Sequence, residues 1–294
     1  MKHIFIINPV SGAGRGNEIG KKIEDIAKEL GYEFNIHYTS KKNDAKNIAK
    51  KYKDEENIIY SVGGDGTLNE VLNGIIGSKN MLSIIPIGSG NDFYRSIVNR
   101  KESKFSVDVG VVNGLYFLNN CAVGIDAEIG HNALLMKKRH VPIKHIYNAS
   151  IIYTFFRYKF KKIEFILNDK KLSGKYTIVT IMNGKAYGGG WEMAPNAVLN
   201  DGLFDVYFVD KVNKLTIPKL LFKVKKGTHE DSGCVHHLLS DKIRLKTKED
   251  IVVLVDGETL YGTDFEVKLL KEGIVYYNNR DFVNVLFNYQ DKKR

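Results

Sequence analysis

The sequence predicts an α/β domain with a doubly wound, mostly parallel sheet, followed by a β-rich second domain. Strand and helix patterns alternate over the first hundred residues, and three of the predicted strands end in glycine-rich turns. From about residue 105 onward, strand-like patterns separated by turn signals dominate. The chain has 294 residues, of which 43% are hydrophobic, and can bury the core of one large domain or of two ordinary ones.

Four strand–loop–helix units make up the predicted first domain. Residues 57–62 form a continuous apolar run, which is typical of a parallel strand covered on both faces. Residues 18–30 place apolar side chains at helical spacing, and Gly31 ends that helix. The predicted strands are 3–8, 34–38, 57–62 and 82–87, and the predicted helices are 18–30, 44–52, 67–76 and 92–98.

The boundary between the domains is predicted in the charged segment 99–104, which gives domains at 1–103 and 104–279. The final segment, about 280–294, is a candidate to pack back on the first domain. One predicted helix, at about 144–160, interrupts the strands of the second domain. Those strands are predicted at 105–112, 115–123, 163–168, 175–182, 203–209, 242–247, 251–255 and 264–269.

The composition indicates a protein of the cytoplasm. Two cysteines, Cys121 and Cys234, are too few for a disulfide framework. We recognise no secretory signal, and no apolar run approaches the roughly 20 residues that span a bilayer. The net charge of +10 allows nucleic acid, a membrane surface or a phosphorylated ligand as a partner. Nucleic acid is not expected, because the sequence has no recognition-helix or RNA-binding aromatic pattern.

The sequence Gly-Gly-Asp-Gly-Thr at 63–67 follows the strand 57–62 and opens a helix. Its three glycines allow the backbone to turn sharply and to approach a ligand closely. A helix N-terminus presents N–H groups and a partial positive charge, which suit a phosphate. A carboxylate such as Asp65 is expected beside a phosphate if Mg²⁺ lies between them. A tight turn with Asp65 as an ordinary turn residue is the structural alternative.

Two further glycine-rich turns follow predicted strands. Segment 8–16 brings Arg15 to a candidate phosphate, although it lacks the P-loop spacing. Segment 86–93 places Asn91 or Asp92 where it would cap the next helix. A flexible loop and a plain capped turn are the respective alternatives. The carboxyl ends of parallel strands line one crevice, so three such turns together favour a nucleotide site there.

A later apolar strand ends at Asp256, Gly257 and Glu258. The local sequence by itself favours a hairpin turn. The functional alternative is a carboxylate held at a strand end as a general base, which phosphoryl transfer to an alcohol requires.

Together these segments resemble the diacylglycerol kinase family, in its bacterial soluble lipid-kinase branch, which is related to sphingosine kinases and more distantly to NAD kinases. The motifs Asn-Pro-x-Ser-Gly, Gly-Gly-Asp-Gly-Thr-x-Asn-Glu, Pro-x-Gly-Ser-Gly-Asn-Asp-Phe and Asp-Gly-Glu occur in the family's order, and segment 194–203 is also similar. The resemblance covers about residues 3–270. It implies a nucleotide-binding α/β domain followed by a β-sandwich-like domain, with the active site in the cleft between them.

The resemblance further implies an ATP- and Mg²⁺-dependent kinase that phosphorylates a lipid hydroxyl, with diacylglycerol as the leading acceptor and phosphatidic acid as its product. Asp65 would be essential to catalysis and linked to the active Mg²⁺, and Glu258 would accept the proton of the hydroxyl. A structural Mg²⁺ would be bound by the Asp201 carboxylate and the backbone carbonyls of Val198 and Leu203. The residues implied in binding ATP are Asn8, Pro9, Val10, Ser11, Gly12, Thr39, Gly64, Asp65, Gly66, Thr67, Leu68, Asn69, Glu70 and Ser89.

Other readings of the sequence stay open. The rival functions are a NAD-kinase-like soluble nucleotide kinase and a non-catalytic lipid- or nucleotide-binding protein on the same scaffold. The stretch 144–162 is expected to be a core helix, with membrane contact through its aromatic end as the alternative. The histidines and the cysteine within 229–237 fit no zinc-finger spacing and are expected in a solvated loop. A lipid kinase would associate transiently with a membrane, and an exposed edge strand could pair two copies in a homodimer.

Overall fold

A computed structural model describes residues 1–138 and 143–288 of the chain. Two compact units are formed, one of residues 1–107 together with the chain from residue 272 onward, and one of residues 108–271. The chain passes from one unit to the other within two strands. The divisions therefore lie at 107/108 and 271/272 rather than at the predicted 103/104 and 279/280.

The first unit alternates strands and helices in the predicted order. Its elements are β1 (Lys2–Ile7), a short helical turn α1 (Ser11–Gly14), α2 (Gly16–Glu29), β2 (Phe34–Tyr38), α3 (Asp44–Lys50), β3 (Asn57–Gly63), α4 (Asp65–Ile75), β4 (Met81–Pro86) and α5 (Asp92–Ile97). The helix predicted at 67–76 begins two residues earlier, so Asp65 is its first residue and not part of the preceding turn.

Strands dominate the second unit, as predicted, but the helices Ile125–Lys138 and Ile217–Lys225 and the strand Val235–Ser240 were not predicted. The elements that follow α5 are β5 (Lys104–Val112), β6 (Leu115–Phe117), β7 (Asn120–Gly124), α6 (Ile125–Lys138), α7 (Ile143–Arg157), β8 (Lys162–Leu167), β9 (Lys170–Met182), β10 (Phe204–Asp210), a 3-10 turn (Lys214–Thr216), α8 (Ile217–Lys225), β11 (Val235–Ser240), β12 (Lys242–Val255) and β13 (Glu258–Tyr277). Across the described ranges, no helix has the length and apolar character that crossing a membrane requires.

The chain returns to the first unit through the end of β13 and the helix α9 (Arg280–Asn288). Helix α9 contacts α2, and Phe282 of α9 lies in a buried cluster with Phe5 of β1 and Ile26 of α2. Helix α9 is the described part of the segment 280–294, which was predicted to pack back on the first domain. Residues 289–294 lie outside the described ranges.

In the first unit, β2, β1, β3 and β4 lie side by side in that order and run parallel. The end of β13 runs parallel to β4, with Val275 beside Met81. Every residue of β3 is buried, as the continuous apolar run predicts. Because the strands point the same way, their carboxyl ends and the turns that follow lie along one edge of this sheet.

In the second unit, the strands pair in the order β11, β10, β9, β7, β12 and β13, and each neighbouring pair is antiparallel. Strand β8 adds antiparallel pairs with both β9 and β12. Large aromatic side chains fill the core between these strands, among them Phe117, Phe165, Phe204 and Phe265, all of which are buried. This core is separate from the cluster that holds Phe5 and Phe282 in the first unit.

Candidate active site

The three glycine-rich turns of the first unit are held together by hydrogen bonds. The backbone N–H of Asn8, after β1, donates to the carbonyl of Val62 at 2.9 Å. The side-chain amide of Asn8 donates to the hydroxyl of Thr67 at 3.3 Å. The N–H of Gly88, after β4, donates to the carbonyl of Gly63 at 3.1 Å. The predicted convergence of the turns after β1, β3 and β4 is therefore observed.

Glycine is required where these turns touch. A Cβ atom added to Gly88 would lie 2.3 Å from the Cα atom of Gly64, which is backbone and has no room to move aside. Gly12 has a φ of +62°, and a Cβ there would lie 2.6 Å from the carbonyl oxygen of Ile87. Gly66 differs, because a Cβ there would meet nothing within 4 Å. The space beside Gly66, at the start of α4, is open to a ligand.

Asp65 joins the second turn to the third. Its carboxylate accepts a hydrogen bond from the backbone N–H of Asp92, the first residue of α5, at 2.8 Å. The N-cap of α4 is Gly64, which has no side chain to bond the first N–H groups of the helix. Burial and then the negative charge of Asp92 raise the pKa of Asp65 above its ordinary value.

The carboxylates of Asp65 and Asp92 converge on Gly90. A Cβ atom on Gly90 would lie 2.6 Å from Oδ2 of Asp65 and 3.6 Å from Oδ2 of Asp92. The arrangement is an oxygen-lined cradle that only glycine leaves open. A carboxylate whose pKa is raised by burial and by the charge of a second carboxylate beside it belongs to a donor set suited to a hard divalent cation.

The remaining residues predicted to bind ATP fall into two groups. Pro9, Ser11, Thr39 and Ser89 are exposed or half-buried near the ends of β1, β2 and β4, and Val10 is exposed. The N–H of Thr39 donates to the carbonyl of Ile7 at 2.9 Å, which ties the end of β2 to the end of β1.

The second group comprises three side chains of α4 that have structural partners. Leu68 and Asn69 are buried in the first unit. The Glu70 carboxylate accepts hydrogen bonds from the N–H groups of Asn43 at 2.9 Å and Ala45 at 3.1 Å, and so caps α3. These three side chains are therefore engaged in packing or capping within the first unit.

In the second unit, Glu258 begins β13 directly after a two-residue turn. Val255 pairs with Glu258, and Asp256 and Gly257 between them have φ angles of 44° and 85°. This is a tight β-hairpin, so the local interpretation of the sequence is confirmed. The Asp256 carboxylate accepts three backbone hydrogen bonds, from the N–H groups of Leu118, Asn119 and Asn120 at 2.8, 3.1 and 2.9 Å. Asp256 thus anchors the turn that presents the half-buried Glu258.

The segment around Asp201 forms a second concentration of carboxylates. Asp201 accepts a hydrogen bond from the N–H of Leu203 at 3.0 Å, and the buried Asp108 accepts one from the N–H of Gly202 at 2.7 Å. Burial and then the charges of Asp205 and Asp108 raise the pKa of Asp201. Excess negative charge beside a partly exposed carboxylate suits a bound cation, although the described residues contain no group of three acidic, histidine or cysteine side chains at metal-binding distances.

Sequence reasoning missed two acidic residues of the second unit, Asp108 and Asp126. Asp126 lies at the start of α6, where it accepts a hydrogen bond from the hydroxyl of Tyr187 at 3.2 Å. Its other carboxylate oxygen is buried and meets no partner among the described residues. Burial raises the pKa of Asp126 to about 7. The sequence did contain a signal, since Asp126 follows an apolar strand and Gly124, the same pattern that marked Asp65.

The histidine-rich stretch does not form the solvated loop that was expected. His236 and His237 lie in β11 and pair with Asp210 and Asp205 of β10 at 2.9 and 2.7 Å. His229 is buried and contacts the carbonyl of Met193 at 3.0 Å. Pairing of β11 with β10 places His236 and His237 beside carboxylates of the neighbouring strand.

Known proteins are similar to this chain in sequence and in fold. Residues 2–112 match the diacylglycerol kinase catalytic domain, and residues 119–271 match the YegS C-terminal NAD kinase beta sandwich-like domain. Diacylglycerol kinase of Bacillus subtilis (strain 168) is 27% identical over 277 residues, which cover 88% of this chain and 89% of that protein. Diacylglycerol kinase of Staphylococcus carnosus (strain TM300) is 25% identical over 304 residues, 98% of each chain.

The fold is also found in a crystal structure of a diacylglycerol kinase from Bacillus anthracis str. Sterne, with a TM-score of 0.73 at 23% identity over 96% of this chain and 98% of that one. The second matched domain alone, residues 119–271, spans more than half of the 294 residues. Its sandwich-like architecture agrees with the β-rich second unit, and the catalytic-domain match lies over the three glycine-rich turns. The chain belongs to the diacylglycerol kinase family and is a lipid kinase with a catalytic domain followed by a β-sandwich-like domain.

Proposed function

We propose that this lipid kinase transfers the γ-phosphate of ATP, with Mg²⁺, to the hydroxyl of diacylglycerol and so makes phosphatidic acid. The observation that carries the proposal is the junction of the three glycine-rich turns, where the uncapped start of α4 and the Asp65 carboxylate lie together. The relatives named diacylglycerol kinase support the choice of acceptor.

The phosphates of ATP are expected at the start of α4. The first N–H groups of this helix have no N-cap side chain, and the open space beside Gly66 allows an anion to reach them. Fixed N–H groups at this position would stabilise the charge on the transferring phosphoryl group without reorganising. Helix α4 begins at the edge where the parallel strands end, which is where ligands bind in doubly wound sheets. This position supports a doubly wound sheet as the framework of the nucleotide site.

The residues present fit Mg²⁺ at two places. Asp65, with Asp92 converging on the same cradle at Gly90, would hold a cation beside the phosphates. Asp201, with the backbone carbonyls of Val198 and Leu203, would hold a second, structural cation, as the surplus of nearby carboxylates supports. When bound, Mg²⁺ neutralises phosphate charge and orients its oxygens. Waters would complete both coordination shells, because each site offers few protein oxygens.

Glu258 is proposed as the group that accepts the proton of the acceptor hydroxyl. It begins β13 after a rigid two-residue turn, and the three hydrogen bonds of Asp256 hold that turn in place. A carboxylate on a fixed hairpin can be kept within hydrogen-bond reach of one oxygen atom, which proton transfer requires. Asp256 is proposed only to position this turn.

Phosphate transfer to a panel of acceptors tests the proposal. The protein, ATP labelled at its γ-phosphate and Mg²⁺ are incubated with diacylglycerol, monoacylglycerol, phosphatidylglycerol or a sphingoid base in mixed micelles, with NAD as a soluble acceptor. Labelled phosphatidic acid that disappears when EDTA is added is the expected product. Label on another lipid would replace the acceptor and keep the reaction, whereas label on NAD alone would contradict the proposal.

A further inference from the structure

Helix α7 exposes three large apolar or aromatic side chains, those of Ile152, Tyr153 and Phe156, and buries two small polar ones. Ser150 and Thr154 are fully or almost fully buried, and the hydroxyl of Thr154 accepts a hydrogen bond from the side-chain amide of Asn132 in α6 at 2.9 Å. On the other side of the helix, Ile152 is 60% exposed and Phe156 is 76% exposed. An amphipathic helix of a water-soluble domain has the reverse arrangement.

A second exposed apolar segment adjoins the end of α7. The ammonium group of Lys214 donates to the carbonyl of Phe155 at 2.9 Å, which holds the 3-10 turn before α8 against α7. The next residue, Leu215, is 81% exposed, and Phe222 of α8 is 58% exposed. We call Ile152, Tyr153, Phe156, Leu215 and Phe222 the α7–α8 face. Beneath this face, Ile217 and Leu220 of α8 belong to a buried cluster that also contacts Ile151 and Tyr158. This shared packing holds α7 and α8 against each other.

The two chain segments that carry the α7–α8 face contain basic side chains and no acidic ones. Segments 146–163 and 211–229 contain no Asp or Glu. They contain four and six basic residues respectively, which are Arg157, Lys159, Lys161, Lys162, Lys211, Lys214, Lys219, Lys223, Lys225 and Lys226. Two of these cations lie over exposed rings of the face, Arg157 at 5.0 Å from the centre of Tyr153 and Lys226 at 4.5 Å from that of Phe222.

We propose that the α7–α8 face docks on an anionic phospholipid bilayer, with its apolar side chains in the boundary between headgroups and acyl chains. This proposal rests on the proposed function, because an acceptor lipid resides in a bilayer. Apolar side chains can enter the boundary between headgroups and acyl chains, and the basic side chains around them attract the anionic headgroups. A second copy of the chain is a poorer match, since two faces with the same basic surround would repel each other across a symmetric interface.

Vesicle binding tests this directly. Wild-type protein, a Phe156→Ser/Leu215→Ser double variant and a Leu30→Ser control are sedimented with phosphatidylcholine vesicles that contain either 40% or no phosphatidylglycerol. Leu30 is a matched control, because it is 50% exposed on the first unit. Each apolar side chain that no longer inserts into the bilayer should weaken vesicle binding by about tenfold. The double variant should therefore bind about 100-fold more weakly to the anionic vesicles. The control should bind like the wild type, and neutral vesicles should bind all three weakly.

Transfer activity separates this proposal from the proposed function. On diacylglycerol dispersed in detergent micelles, the double variant should retain wild-type turnover, and on anionic vesicles it should lose it. Equal vesicle binding by the double variant and the wild type would overturn docking through this face, whatever the activity. A wild-type dimer that the double variant converts to monomer in analytical ultracentrifugation, without loss of vesicle binding, would make the face a protein interface instead. Normal vesicle binding without transfer to any lipid would count against the proposed function alone.

Discussion

The carboxylate of Asp65 accepts a hydrogen bond from the backbone N–H of Asp92 at 2.8 Å, and this contact couples the glycine-rich turn after β3 to the one after β4. It also confines two negative charges to one small region around Gly90. The contact holds the third turn in position. It also keeps two carboxylates close together, and their mutual repulsion is unfavourable until a bound cation balances it.

Asp65→Asn is predicted to lower phosphate transfer by at least ~100-fold while raising the stability of the nucleotide-free protein at pH 7. The folded-state pKa of Asp65 is raised, so its favourable contribution is present below the unfolded pKa and is lost as the pH rises through the folded pKa. Asparagine removes the charge and keeps an oxygen to accept the Asp92 N–H. Urea unfolding at pH 7 measures the effect, and a less stable variant would show that the charge itself stabilises the fold.

Gly88→Ala and Gly66→Ala are predicted to act in opposite ways. The new methyl group at position 88 would clash with the Gly64 backbone at 2.3 Å, so the free energy of unfolding should fall by about 1–3 kcal/mol. At position 66 the methyl group meets no protein atom within 4 Å and favours the helix, so stability should rise by about 0.5–1 kcal/mol. Isothermal titration should nevertheless show weaker ATP binding by Gly66→Ala. Unchanged affinity would place the phosphates elsewhere.

Asp256→Ala should destabilise the protein, because three backbone N–H groups lose their acceptor. The expected loss is about 1–3 kcal/mol in the free energy of unfolding, measured by urea denaturation. Its matched comparison is Asp264→Ala, which removes an exposed carboxylate paired with Arg244 and should change stability by less than about 1 kcal/mol. Equal effects of the two substitutions would contradict the anchoring role of Asp256.

Asp126 should make the stability of the protein decrease as the pH rises from about 4 to about 7. Burial raises its folded pKa to about 7, so in this range the folded state holds a proton that the unfolded state has released. Asp126→Asn should remove this part of the pH dependence, which amounts to at most about 4 kcal/mol between pH 4 and pH 8. Urea unfolding across that range compares the variant with the wild type. Parallel curves would mean that Asp126 titrates normally.

Much of the fold, and the convergence of the three glycine-rich turns, could be predicted because their signals are local. Strand β3 is a continuous apolar run, and the turns after β1, β3 and β4 are glycine-rich segments between a strand and a helix. The cap that Glu70 provides for α3 could not be predicted, because its partners lie 25 and 27 residues earlier. Asp65 and Asp92, which are also in contact, are likewise separated by 27 residues in the sequence. Such pairings depend on how the strands are ordered in the sheet.

The elements that were missed depend on tertiary structure. Helix α6 has no clear apolar stripe, so hydrophobic periodicity gave no signal for it. Helix α7 was predicted as a helix, but which of its side chains are buried was not, since it exposes Phe156 and buries Thr154. Strand β11 looked like a loop because it contains His236 and His237, and these are matched only by carboxylates of the strand beside it. Asp126 showed the right local pattern, but its burial could be seen only in the folded chain.

The most direct test of the central claim compares phosphate transfer to diacylglycerol by the wild type and by Glu258→Gln, with ATP binding and urea unfolding of both proteins measured alongside. We expect the wild type to form labelled phosphatidic acid, and we expect Glu258→Gln to bind ATP and unfold like the wild type while losing transfer by at least about 100-fold. Transfer at the wild-type rate by Glu258→Gln would contradict its role as proton acceptor. ATP binding by the wild type without transfer to diacylglycerol or any other lipid in the panel would contradict the proposed reaction itself.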